Sequence, residues 1–249
     1  MQLQVDDAKF FKQCVDAIVN LVEEGTFDVS SQGLKLRSMD PSQIAMVDFS
    51  LPKEAFKKLE ADSGALLGVN LSDLSKVLSR ARSSESLTIS VDEKEANKLE
   101  LEFKGESRRN FKLPLLDLSA STAKELKIPF AAKVKVKGGA FKDLLKDAAL
   151  LSSHVALEAD ENAFFVDAHG DAGDLRTETK KDTSSISELK TTEKARSMFP
   201  FEYLDDISRA CPDEEDMSIE LKTDAPVKIS YKIGKAQLSY FLAPRVETI

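Results

Sequence analysis

Hydrophobic and polar positions in residues 71 to 114 recur, in the same order, in residues 201 to 244. A constant shift of 130 carries Leu71 onto Phe201, Leu74 onto Leu204, Val77 onto Ile207, Leu87 onto Met217, Ile89 onto Ile219, Leu99 onto Ile229, Phe111 onto Phe241 and Pro114 onto Pro244. The same shift pairs Phe11 with Phe141, Leu21 with Leu151, Phe27 with Leu157, Leu34 with Phe164 and Leu36 with Val166. Few residues are identical, yet apolar positions stay apolar, as two copies of one fold must keep them to preserve their cores.

Within the first copy, Phe10, Cys14, Ile18 and Leu21, flanked by Phe11, Val15 and Val22, recur at helical spacing, and Gly25 is expected to stop that helix. Residues 26 to 30 and 34 to 38 alternate around Gln32 and Gly33, the pattern of a hairpin with one buried face, and 44 to 51 supply a further strand. A second helix begins after Asn70, an N-cap residue, with Asp73 in its first turn, Arg80 and Arg82 near its end, and Leu71, Leu74, Val77 and Leu78 on its buried face. Residues 86 to 91, 98 to 103 and 109 to 114 alternate as strands.

The second copy follows with Phe141, Leu144, Leu145, Ala148 and Leu151 on one helix and Phe201, Leu204 and Ile207 on another, which Pro212 ends. Its first strand slips by one, since Leu3 and Val5 match Val134 and Val136 at 131. Residues 115 to 131 interrupt the alternation and read as a connector attached through Leu126, Ile128 and Phe130. The expected organisation is a domain over 1 to 116, a connector over 117 to 130 and a second domain over 131 to 249, in an α+β fold with helices on one side of antiparallel sheets.

Apolar residues make up 42% of the chain and charged residues 31%, the balance of a globular protein. No apolar run is long enough to span a bilayer and no signal-peptide pattern opens the chain, so a cytosolic or nuclear setting is expected. Cys14 and Cys211 fall in apolar helical patterns, as buried reduced thiols would. The net charge of −8 argues against gripping nucleic acid by bulk electrostatics, so any positive surface must be local. His154 and His169 are the only histidines, and no serine or cysteine motif places a nucleophile beside them. The stretch 167 to 174, DAHGDAGD, has the composition of a metal loop but lacks the glutamate at the twelfth position of an EF-hand, and no phosphate-cradling glycine loop occurs. Neither a catalytic centre nor a metal or other cofactor is expected.

Four stretches carry a resemblance: LKLRSMDPSQIAMVDFSL at 34 to 51, GVNLSDLSKVLSRA at 68 to 81, LKIP at 126 to 129 and YFLAPRVE at 240 to 247. Together they closely resemble DNA sliding clamps of the proliferating cell nuclear antigen family, along the whole chain, and the end two residues past LAPRVE is similar to archaeal members. That resemblance implies a pseudo-sixfold trimeric ring of two-domain subunits, with helices facing double-stranded DNA and sheets outside. It also implies a processivity factor that tethers replicative DNA polymerase, flap endonuclease and DNA ligase through short interaction peptides. Without a nucleotide-binding loop of its own, such a ring needs an ATP-dependent clamp loader. A nucleoid-associated cytoplasmic location, or a nuclear one in a eukaryote, follows.

The exposed helix positions carry Lys9, Lys12, Lys76, Arg80, Lys142, Lys146 and Arg209, and Lys12, Lys76, Lys146 and Arg209 resemble the family's pore cations. On residue pattern alone they read equally as solvated helix faces. Asp16, Asp205 and Asp206 interrupt the set, and Asp206 is the repeat equivalent of Lys76, so the pore should be only modestly positive. By resemblance, Met39, Gln43, Ile44, Met46, Leu126, Ile128, Pro226, Phe241, Ala243, Pro244, Arg245 and Val246 form the partner-peptide groove. Pattern alone would make Met39 and Ile44 core residues beside a turn and Pro244 an edge-strand terminator. The resemblance also implies a subunit seam between 109 to 116 and 174 to 181, with Arg109 and Lys112 facing Asp174 and Glu178, although alternating charges on edge strands would equally serve to prevent aggregation. Two other readings stay open: a clamp paralogue serving as one subunit of a heterotrimeric or checkpoint-type ring, and a hydrolytic enzyme on a duplicated α+β fold.

Overall fold

A computed structural model describes residues 1–61, 64–91, 97–118, 123–124 and 126–245. Asp7 opens the first helix, its carboxylate accepting the Lys9 backbone N–H at 2.8 Å. From there α1 (Ala8–Val19) buries Ala8, Phe11, Cys14, Val15, Ala17 and Ile18. The helix closes at Val19 and does not run on to Gly25: Leu21 and Val22 both donate their backbone N–H to the Ile18 carbonyl, at 3.1 and 3.2 Å, and tighten the last turn. Gly25 instead lies inside a strand, where a Cβ would meet Leu36 Cδ1 at 2.8 Å. Its smallness serves close packing, and the apolar period past Val19 belongs to a turn that is itself buried.

Two compact units form, one from residues within Met1–Pro41, Val47–Ala123 and Ile233–Leu238, the other from residues within Ser42–Met46, Lys124–Lys232 and Ser239–Ile249. The first copy runs β1 (Gln2–Val5), α1, β2 (Glu24–Ser30), β3 (Gly33–Met39), β4 (Ala45–Pro52), a 3-10 turn at Lys53–Ala55, β5 (Lys58–Glu60), β6 (Ala65–Asn70), α2 (Leu71–Leu78), β7 (Ser86–Val91), β8 (Lys98–Lys104) and β9 (Arg108–Pro114). Its strands order as β5-β1-β7-β8-β9 and β4-β3-β2-β6. Antiparallel registers such as Leu87↔Phe103 and Ile89↔Leu101 stack apolar side chains on one face, while Glu100 and Glu102 stay half-exposed on the other. The helices pack side by side, α2 resting on β2, β6 and β9.

The second copy repeats this with β10 (Ala132–Lys137), α3 (Gly138–Ala149), β11 (His154–Ala159), β12 (Ala163–Gly170), β13 (Gly173–Lys180), β14 (Ile186–Thr191), β15 (Ala195–Pro200), α4 (Phe201–Arg209), β16 (Asp216–Leu221), β17 (Val227–Ile233) and β18 (Ala236–Leu242). The orders β14-β10-β16-β17-β18 and β13-β12-β11-β15 match the first copy strand for strand. Phe141, Phe164, Phe199 and Tyr240 fill its core. The buried Tyr231 hydroxyl is satisfied, donating to the Ile207 carbonyl at 2.8 Å beside the Tyr240 hydroxyl at 3.0 Å.

Helix α3 starts 130 residues after α1, and the Ala8 N–H bond to the Glu85 carbonyl recurs as Gly138 N–H to Glu215, each 2.9 Å. The one-residue slip has a local cause. Two residues separate β1 from α1 and include the cap Asp7, whereas α3 follows β10 directly with no side-chain cap. There Gly139 donates its N–H to the Asp213 carbonyl at 2.9 Å, so backbone replaces a cap, and a Cβ on Gly138 would meet the Pro212 carbonyl oxygen at 2.5 Å.

Strands β5 and β6 are not foreshadowed by the hydrophobic pattern. The first is three residues long, and β6 reads ALLGVN, an apolar run without alternation. Gly68 within β6 pairs with the start of the connector: Leu116 donates its N–H to the Gly68 carbonyl at 2.8 Å, and a Cβ there would meet the Leu116 carbonyl oxygen at 2.3 Å.

Candidate functional site

Lys9 and Lys12 lie on α1, Lys76 on α2, Lys142 and Lys146 on α3, and Arg209 ends α4. Arg80, expected within the second helix with Arg82, lies beyond it, because α2 closes at Leu78. Glu85 draws the segment away: this buried carboxylate accepts the Arg82 backbone N–H at 2.8 Å and holds Arg109 at 2.5 Å, while the Arg109 guanidinium forks onto the Arg80 carbonyl at 3.1 Å.

Most of these cations come with a carboxylate. Lys12 pairs with Asp16; Lys76 meets Asp73 at 2.9 Å, Lys146 meets Asp143 at 2.9 Å, and Arg209 meets Asp205 at 2.6 Å and Asp206 at 2.9 Å. Donating a hydrogen bond to Asp143 raises the Lys146 pKa, and donating one to Asp205 raises that of Arg209. Burial raises Asp206 although Arg209 opposes it. Lys142 is bound into its own unit, donating to the Cys211 carbonyl at 2.5 Å and to Asp213 at 2.8 Å, and Lys9 donates to the Ser83 hydroxyl at 2.8 Å.

Of the residues expected to form the groove, Gln43, Ile44, Met46, Leu126, Ile128, Pro226, Phe241, Ala243, Pro244 and Arg245 all fall in the second compact unit. Ile44 and Ala243 are brought together, the Ala243 N–H donating to the Ile44 carbonyl at 2.8 Å, and the Arg245 N–H donates to the Met198 carbonyl at 2.8 Å. Gln43 has φ +60, a left-handed conformation costly for a residue with a Cβ. Met46 and Phe241 are buried, so the accessible apolar atoms of this unit's set belong to Ile44, Leu126, Ile128, Pro226, Ala243 and Pro244. Met39 ends β3 in the first unit and is 40% exposed. Val246 lies outside the described residues. Lys228, which the sequence pattern did not single out, sits over the Phe241 ring at 5.5 Å. Its position two residues past Pro226, on a half-exposed strand, was the only available signal.

Strands β9 and β13 each end a sheet order. The charges expected to pair across that seam have partners within the chain: Arg109 holds Glu85 and lies over Phe103 at 5.1 Å, Lys112 meets Glu100 at 2.8 Å, and Asp174 meets His169 at 2.9 Å. Glu178 is exposed on β13.

The start of the DAHGDAGD stretch is occupied by arginines. Asp167 is buried against Arg176, at 2.6 Å, and Arg196, and neighbouring Glu158 takes Arg176 and Lys194, each at 2.9 Å. Burial pushes the Glu158 carboxyl up, but Lys194 and Arg176 outweigh it and its pKa is lowered. No three metal-ligating side chains converge among the described residues. His154 Nδ1 lies 3.0 Å from the Ser153 hydroxyl. Among the described residues no helix is long and apolar enough to cross a membrane.

The N-terminal domain of the proliferating cell nuclear antigen family matches residues 1–122 and its C-terminal domain residues 126–246. A DNA polymerase sliding clamp of Methanococcus vannielii is 36% identical over 97% of this chain and 98% of its own. The clamp of Pyrococcus abyssi is 31% identical over 99% and 98%. Among solved structures, PCNA from Thermococcus kodakaraensis superposes with a TM-score of 0.93 at 28% identity, covering 98% of this chain and 99% of that one. A. fulgidus PCNA, solved with the C-terminal region of FEN-1 bound, gives 0.88 at 25% identity over 100% and 99%. With both of its repeats matched in order and relatives aligned from end to end, the chain belongs to the proliferating cell nuclear antigen family, the DNA polymerase sliding clamps.

Proposed function

We propose that three copies of this chain close into a homotrimeric ring around duplex DNA, with the helices toward the DNA and the groove on the second unit holding partner peptides. One observation carries the reading: among the strands that end a sheet order, β9 in the first copy and β13 in the second hold non-equivalent places in the repeated strand order. An open edge offers a row of backbone donors and acceptors to a further strand. Joining β9 of one copy to β13 of the next is a head-to-tail contact, which closes into a ring when the rotation permits. Because Arg109, Lys112 and Asp174 have partners within the chain, backbone pairing carries this seam and those charges contribute little.

The ring reading explains how an acidic protein serves DNA: a closed ring retains the duplex by topology, so weak contacts suffice. Lys12, Lys76, Lys146 and Arg209 are the principal DNA-facing cations, with Lys9, Arg80 and Lys142 beside them. Partners for the groove are flap endonuclease, through a C-terminal segment like that bound by A. fulgidus PCNA, together with replicative DNA polymerase and DNA ligase. An ATP-dependent loader opens the ring. The protein then performs no chemistry itself and works beside the chromosome. Light scattering after size exclusion at micromolar concentration tests the assembly: a three-chain mass is expected, and a purely monomeric or dimeric mass overturns it.

A further inference from the structure

Each of the four α-helices among the described residues carries a cation closed onto a carboxylate of the same helix. The pairs are Lys12–Asp16 on α1, Lys76–Asp73 on α2, Lys146–Asp143 on α3, and Arg209 with both Asp205 and Asp206 on α4. The repeat does not explain this. Shifted by 130, Lys12 falls on Lys142, but Asp16 falls on Lys146, Lys76 on Asp206, Asp73 on Tyr203 and Ser79 on Arg209, so no same-helix pair falls on a pair in the other copy. Inheritance from a common ancestral copy would have put the pairs in register; here the pairing itself recurs and its positions do not. Helix stabilisation alone is a weak reason, since an exposed pair three or four residues apart contributes only a few tenths of a kcal/mol.

We propose that Asp73, Asp205 and Asp206, with Asp16 and Asp143, are working parts of the DNA-facing surface: they keep its cations in closed pairs, so the duplex is met by exchange of partner in place of standing positive charge. The inference rests on the ring reading above. A phosphate approaching Lys76 finds an ammonium already held by Asp73, and it gains a contact only as that pair opens. Contacts made by exchange are individually shallow, so a phosphate can be released as readily as it is taken, and the clamp can move along the duplex without dwelling. Each carboxylate also repels the backbone of the DNA when its cation leaves it. The binding surface therefore presents many cations with little net attraction, in keeping with a −8 chain that must stay on DNA without stopping.

Asp16 is unsuited to the test, because it also accepts from the Ser75 hydroxyl at 3.0 Å and ties α1 to α2. The variant is Asp73→Asn, Asp205→Asn and Asp206→Asn together, compared with wild type and with Lys76→Ala plus Arg209→Ala. The readout is affinity of the unloaded protein for a short duplex between about 50 and 200 mM salt, and diffusion of loaded protein along stretched DNA. Freeing two cations is expected to raise affinity and to steepen the salt slope by up to about 0.9 for each that meets a phosphate, an added loss of about threefold per phosphate between about 50 and 200 mM salt. Diffusion along DNA should slow. Light scattering and thermal unfolding of each variant confirm that assembly and folding are kept. If the alanine variant loses affinity while the asparagine variant matches wild type in affinity, salt slope and diffusion, the proposal is overturned and the helices still face DNA. If neither variant differs from wild type, the proposal falls together with the DNA-facing assignment of the helices.

Discussion

Leu126 is 44% exposed and the Lys146 side chain 72%, yet the two surfaces they belong to offer a partner different things. Leu126, Ile128 and Pro244 leave apolar atoms in water, and whatever covers them gains the full hydrophobic return, about 25 cal/mol for each Å² buried. Lys146 already holds Asp143, so an incoming phosphate exchanges one partner for another and gains little. A few groove residues should therefore dominate peptide affinity, while the helix cations should act as a set. The division suits a clamp, which must hold its enzymes firmly and its DNA loosely.

The largest effect should come from the groove. Ile128→Asp or Pro244→Asp would set an uncompensated carboxylate against an apolar peptide, at a cost of about 3 kcal/mol or more. Calorimetry with a partner's C-terminal peptide should show at least a hundredfold weaker binding and an unchanged trimer mass; unaltered affinity would put the groove elsewhere.

Next in size is Glu85→Ala, which disturbs the cation surface without removing a cation. It strands the mostly buried Arg109 and frees the Arg82 N–H, and removing one partner of a buried pair costs about 3 kcal/mol. A lower thermal midpoint with full peptide affinity is expected. An unchanged midpoint would mean that Glu85 does not organise the segment after α2.

Smaller again is the combined change of Lys12, Lys76, Lys146 and Arg209 to Ala, which should impair loading, weaken short-duplex binding and flatten its salt slope by up to about 0.9 for each phosphate that no longer meets a cation. A weakening concentrated in one of the four would contradict the view that they act as a set.

Smallest is a negative result that guards the others. Burial pushes the Cys14 and Cys211 thiols up to about 12. Both stay neutral at pH 8, so iodoacetamide should label them only on unfolding, in wild type and in the cation variants alike. Labelling of a folded cation variant would show that the substitutions had loosened helix packing.

How much of this was legible in the residues depended on the range of the interaction. The repeat, the hairpin around Gly33 and the helix after Asn70 rest on local periodicity and caps, and α2 starts at its Asn70 cap where the pattern put it, although it closes before Arg80. The end of α1 and the strand β6 were not legible, because Leu21, Val22 and ALLGVN are apolar for tertiary reasons that leave no period. At the proposed functional surfaces, residue type and spacing singled out the cations, and resemblance alone implied a place for them in a pore. Their closure onto Asp73, Asp143 and Asp205 depends on rotamers, and the turning inward of Arg109 onto Glu85 depends on a contact 24 residues distant. Lys228 above Phe241 belongs to the same class, a contact between side chains 13 positions apart that no local pattern announces.

Retention on DNA of defined topology tests the central claim most directly. Protein loaded on closed circular duplex should survive a wash at about 0.5 M salt, where the screening length is far below the ~10 Å of 0.1 M salt, and should leave when the circle is cut once. Equal retention on circular and linear DNA after that wash would contradict a ring that holds by encirclement.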